Sequence, residues 1–129
     1  MGVSITMGVT VLDCPDPRRL AEFYGAVLGW EIGPAEDEED PGEWVELIGP
    51  HGRTLAFQRS EGYRPPDWPG TDRPQQLHLD FNVPIAEWDE AEERVLRLGA
   101  TLLQSDDGKR DWRVYADPAG HPFCLCAVD

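Results

Sequence analysis

Apolar and polar residues alternate strictly along Gln76–Val83. Leu77, Leu79, Phe81 and Val83 fall on one face and His78, Asp80 and Asn82 on the other, which predicts a strand with one face on a core. A similar β-rich pattern over Thr6–Leu12 sets Met7, Val9 and Val11 against Gly8, Thr10 and Leu12 and predicts the first strand. Each of these strands is followed by a helical period. Asp16-Pro17 supplies an N-cap acceptor and a proline whose fixed φ suits the first helical position. Leu20, Phe23, Tyr24, Val27 and Leu28 then form one stripe, and Gly29 is the stop. In the second case Trp88, Ala91, Val95 and Leu98 form the stripe, with Glu87, Glu90, Glu92, Glu93 and Arg94 on the wet side and Gly99 at the end.

Three short strands follow each helix. After the first they are Trp30–Ile32, Trp44–Ile48 and Thr54–Gln58, the last two joined by the turn Gly49-Pro50-His51-Gly52. After the second they are Ala100–Gln104, Trp112–Ala116 and Pro122–Ala127, with turns at Asp107-Gly108 and Asp117-Pro118-Ala119-Gly120. Leu28-Gly29 and Leu98-Gly99 stand seventy positions apart, and Leu12 and Asn82 share that offset, so the unit is an internal repeat. The prediction is a single α+β domain over 1–129: module 1 at about 6–60, an aperiodic connection over 61–75, and module 2 at about 76–128. Each half alone leaves a sheet face open. The halves are therefore expected to close over a shared cup, within one chain or between two, with His78 looking into it.

Composition narrows the partners. The net charge of -14 disfavours nucleic-acid phosphate and anionic membranes, and either attracts a cationic ligand or simply keeps the protein soluble. The run Glu36–Asp40 reads as a solvated loop and His51 as an exposed loop histidine. Three cysteines without dense spacing point to a reducing cytoplasm, and no apolar run is long enough to span a bilayer.

Several of these stretches resemble the vicinal oxygen chelate superfamily, the group of glyoxalase I, extradiol dioxygenases, fosfomycin-resistance enzymes and bleomycin-resistance proteins. They are Asp13-Cys14-Pro15-Asp16-Pro17, Phe23-Tyr24, Leu28-Gly29-Trp30, His78-Leu79-Asp80-Phe81, Leu98-Gly99-Ala100 and Asp117-Pro118-Ala119-Gly120-His121-Pro122-Phe123-Cys124. The resemblance implies two βαβββ modules forming a curved mixed β-sheet cup, a homodimer, a small-molecule ligand and, in metal-using members, a divalent zinc, nickel, manganese or iron ion. Its ligand positions fall on Gly8 or Val9, on Gln58, on His78 and on Cys124. Gly8 and Val9 cannot bind a metal, and Gln58 and Cys124 stand where glutamates are usual. Glyoxalase-type isomerisation needs carboxylates that hold the metal and shuttle a proton, and an extradiol dioxygenase needs two histidines and a carboxylate. Neither set is intact.

His78 is thus a candidate pocket residue and metal ligand, or else a satisfied histidine lining the cup. Asp80 lies two residues along, at about 7 Å by strand rise, suited to a ligand cation, a water or a salt bridge. Cys124 is either an inert small hydrophobe, a soft metal ligand or a thiolate activated by His78, while Cys126 reads as inert. Gln58 suits hydrogen bonding to a ligand or backbone better than metal binding. Trp30, Trp44, Trp112 and Tyr115 serve equally as pocket lining or core. Two readings stand. One is a glyoxalase-like protein that binds a small organic molecule without the full family metal site. The other is a metal-dependent lyase, isomerase or dioxygenase with a rearranged Gln58, His78 and Cys124 site, or an enzyme using a His78–Cys124 pair.

Overall fold

The computed structural model of the chain describes residues 2–35 and 38–129. Its elements run β1 (Thr10–Cys14), α1 (Pro17–Leu28), β2 (Glu31–Ile32), β3 (Trp44–Gly49) and β4 (Gly52–Arg59). They continue with β5 (Leu79–Pro84), a 3-10 turn (Ile85–Glu87), α2 (Trp88–Leu98), β6 (Thr101–Gln104), β7 (Trp112–Ala116) and β8 (Pro122–Val128). They form two compact units, the first ending at Tyr63 and the second beginning at Arg64. Each is a βαβββ module with a four-stranded mixed sheet, in the order β1-β4-β3-β2 and β5-β8-β7-β6 respectively. The module's first and last strands pair in parallel and the others antiparallel.

In the first unit, Asp16 caps α1 by accepting from the Arg19 amide, Pro17 opens the helix, and Gly29 closes it at φ 71°. Tyr24 stacks on Phe57 of β4, with ring centroids 5.8 Å apart, which identifies the helix-covered face of this sheet. Leu12, Val45, Leu47 and Leu55 share that face by register and are buried. Of the acidic run, Glu36 and Asp37 lie outside the described residues, and Glu38–Asp40 is exposed and has no regular structure.

The first strand begins later than the alternation predicts. Residues 2–9 belong to no strand, and Val3, Ile5 and Met7 are exposed. Pairing starts only where Thr10 meets Leu55 and runs to Cys14 beside Arg59. Alternation marks which residues suit a strand; the partner's position decides where the ladder starts.

In the second unit α2 covers Phe81, Phe123, Leu125 and Tyr115. Tyr115 stacks on Phe123 at 5.3 Å and the Trp88 indole donates to the Leu125 carbonyl at 3.2 Å. The central strand is also shorter at its start than expected, since Gln76–His78 precede the ladder, but the alternation holds: Leu79, Phe81 and Val83 are half-buried, Asp80 and Asn82 exposed.

The repeat survives with one correction. Gly29 and Gly99 each close their helix and keep the seventy-residue offset. The strands do not. Leu12 faces its helix and is buried, whereas Asn82 lies on the opposite, exposed face, so Leu12 corresponds to Phe81 and the strand offset is one shorter. The additional residue of module 2 is taken up in the 3-10 turn between β5 and α2.

Candidate functional site

The face of the second sheet that α2 does not cover carries the unusual chemistry. Parallel register sets Asp80 of β5 beside Cys124 of β8, and antiparallel register sets Cys124 beside Val114 and Cys126 beside Trp112. Residues paired this way project to the same side. His78, just before β5, continues that face: its Nε2 lies 3.4 Å from Asp80 Oδ1, a contact that is an ion pair only when the imidazole is protonated. The His78, Asp80 and Cys124 donor atoms all lie within 4.8 Å of one another. Both His78 and Asp80 are about half exposed (44% and 56% of the side chain), while Cys124 is buried.

Burial pushes the Cys124 thiol up to about 12, aided by the Asp80 carboxylate, which repels a thiolate and accepts a hydrogen bond from the thiol. Without an ion, Cys124 is therefore a protonated thiol and not a nucleophile poised by His78. Cys126 is raised in the same direction, by burial first and Asp80 second.

Beside this cluster lies an open cleft of about 120 Å³, lined by Trp68, Gln75, His78, Trp112, Val114, Pro122 and Cys124. Two of these residues carried no signal in the sequence pattern. Trp68 and Gln75 come from the aperiodic connection, most of which belongs to the second unit. There the segment around Trp68 is tied into a closed loop. Arg73 Nε donates to the Pro65 carbonyl at 2.9 Å, and the Arg73 and Asp67 backbones bond at 2.8 Å. The turn before β8 packs on this loop. Asp117 Oδ1 accepts from the amides of Ala119 and His121, and Gly120, at φ 92°, leaves no room for a β-carbon against Pro65. A tryptophan inside a proline-, glycine- and charge-rich stretch was the one available hint.

Other candidates stand elsewhere. Tyr115 is not a cleft residue: it is fully buried on the helix face, and its hydroxyl donates to Glu92 Oε1 at 2.9 Å. Trp112 and Tyr115 are an odd number of residues apart on one strand, so they cannot share a face. Trp30, in the first unit, packs against Gly49 so closely that a β-carbon there would strike its ring, and plays a packing role. Trp44 donates to Glu46 Oε1 at 2.8 Å, and Glu46 is a buried carboxylate that the sequence pattern did not single out. Gln58 sits on β4 beside Asp13 and Trp44.

The corrected repeat shows how unequal the two modules are. The first-module counterparts of His78, Asp80 and Cys124 are Val9, Val11 and Ala56, and Gln58 corresponds to Cys126. Aliphatic side chains occupy all three places. Of the first-module positions that the resemblance implied, Gly8 and Val9 offer no donor and Gln58 only a neutral amide, whereas His78, Asp80 and Cys124 supply a nitrogen, an oxygen and a sulfur from one module.

Paired βαβββ modules of this topology define the vicinal oxygen chelate superfamily. Residues 9–126 match the family described as Glyoxalase-like domain, and the chain belongs to that family. No curated protein sequence matches it significantly. Among solved structures it is similar to the fosfomycin resistance protein FosX from Mesorhizobium loti, with TM-score 0.71, 17% identity, and 98% of this chain and 94% of that one covered. It is also similar to FosX from Listeria monocytogenes complexed with Mn(II) and sulfate, with TM-score 0.70, 14% identity and coverages of 98% and 95%. The oxidase ChaP-H2 superposes with TM-score 0.64, 21% identity and coverages of 98% and 96%. At such identities the likeness is one of fold.

Proposed function

We propose that this protein binds a small organic molecule on the open face of its second module's sheet, without the metal site of the wider superfamily. The observation that carries this reading is the convergence on one cleft of two indoles, an aliphatic wall and two hydrogen-bonding side chains, Gln75 and His78. The cleft volume equals that of about four liquid waters, so it holds one ring or one short polar arm rather than a whole drug-sized ligand. Indole faces favour aromatic or cationic groups, and the net charge of -14 favours cations over anions. A thermal-shift screen of cationic antibiotics and aromatic metabolites tests it. At least one compound is expected to raise the melting temperature of the parent protein and not that of Trp112→Ala; silence across the panel overturns the reading.

A second reading is a metal-dependent enzyme of lyase, isomerase or dioxygenase type. The contact of His78 with Asp80 at the edge of the cleft favours it, because an imidazole–carboxylate pair can hold and move a proton beside a bound molecule. Elemental analysis of freshly purified protein separates the two: stoichiometric zinc, nickel, manganese or iron, lost in His78→Ala, supports the enzyme. We also take the protein to be a cytoplasmic homodimer. The lack of any disulfide among Cys14, Cys124 and Cys126 supports the compartment, and family membership supports the dimer. Among the described residues no helix is long and apolar enough to cross a membrane. Light scattering of the eluted protein at twice the chain mass is the expected result.

A further inference from the structure

We propose that His78, Asp80 and Cys124 form a zinc-type site built within the second module alone, with Asp80 as the ligand that replaces the missing contribution of the first module. This deepens the second reading above. Its test reads ion binding directly, so the site can stand even if no catalysis is found.

Three observations support it. The first is convergence: ligand atoms on a tetrahedral zinc ion lie about 3.3–3.8 Å apart, given bonds of about 2.0–2.3 Å. The His78 to Asp80 separation of 3.4 Å already falls in that range, and the thiol lies within 4.8 Å of both. Rotation of exposed side chains supplies the remaining closure. The second is donor chemistry. A thiolate with an imidazole and a carboxylate suits a borderline-soft ion, whereas manganese and magnesium prefer all-oxygen surroundings. The third is exposure on one side only: Cys124 anchors the cluster in the sheet, and half-exposed His78 and Asp80 leave the cleft side open. Three protein ligands with an open position is the arrangement of a zinc ion that receives water or a ligand oxygen, not of a closed structural site.

The experiment uses the full-length protein stripped by a chelator. Zinc is titrated in competition with a chromophoric chelator, and cobalt(II) in parallel. One equivalent of zinc is expected to bind. Cobalt(II) should show near-ultraviolet sulfur-to-cobalt charge transfer, which a thiolate ligand alone produces. Cys124→Ser should abolish that band and Cys126→Ser keep it, while His78→Ala and Asp80→Asn each weaken zinc binding at least tenfold with the circular dichroism unchanged. Gln58→Ala should leave zinc affinity alone. If Cys124→Ser fails to fold, Asp80→Asn decides. Sub-stoichiometric zinc overturns the proposal. So does cobalt binding without charge transfer, a band that follows Cys126, or Asp80→Asn binding zinc like the parent.

Discussion

Arg113 shows how far one side chain can depart from its pattern. It sits on β7 at a core-facing position, yet it is charged and only 11% exposed. Its guanidinium lies 4.0 Å over the Trp88 ring and reaches Asp106 at 2.8 Å and Asp89 at 2.9 Å, with Glu92 at 3.7 Å. The stem fills the core and the head is neutralised by three carboxylates. Arg113→Ala removes both and takes the shared cation away from Asp106, Asp89 and Glu92. A loss of about 2–3 kcal/mol is expected in urea denaturation. The same cluster sets an acid limit. Hydrogen bonding from Arg113, then from the Gly108 amide, holds the Asp106 carboxyl below its usual 3.8. A carboxyl depressed in the folded state stabilises the fold at pH values above the unfolded pKa, and that stabilisation is lost as the pH falls through the folded one. The parent should therefore lose more stability than Asp106→Asn between about pH 5 and pH 2, followed by melting temperature. The opposite order would remove Arg113 as the cause.

At the scale of elements, the connecting segment decides the shape of the cleft. It has no helix or strand from Glu61 to Leu77, yet the bonds among Pro65, Asp67 and Arg73 place Trp68 opposite the sheet. The Asp117–Gly120 turn is the surface it rests on, and Gly120 makes that contact possible in two ways, by its φ of 92° and by its missing β-carbon. Gly120→Ala is expected to cost about 2–4 kcal/mol, from left-handed strain plus overpacking against Pro65. It should also expose Trp68, seen as a red shift of tryptophan emission and faster quenching by acrylamide. Much of this level was legible: the caps of α1, the two helical stripes, β7 within its predicted bounds and the parity of β5 follow from residue type and spacing alone. The start of β1 and the loop around Trp68 were not, because each depends on a partner distant in sequence.

For the whole molecule, charge is the dominant unbalanced quantity. Twenty-five carboxylates against eleven lysines and arginines repel one another across the surface. Screening that repulsion should raise the melting temperature between about 20 and 300 mM sodium chloride, since the Debye length shrinks from about 20 Å to several ångströms. A fall instead would mean that exposed ion pairs such as Arg18–Glu22 and Arg97–Glu93 outweigh the self-repulsion.

Periodicity and end signals were enough to place both helices, the duplicated βαβββ order and the exposed polar row that holds His78 and Asp80. They are local properties, set by which residues suit a turn, a cap or a pleat. That Cys124 joins those two side chains rests on the parallel pairing of β5 with β8, forty-four residues apart between Asp80 and Cys124. Its first-module counterpart, pairing Val11 with Ala56, brings together only aliphatic groups. A ligand site is a meeting of side chains across strands. Strand spacing and register bring them together, and neither can be read from one segment taken alone.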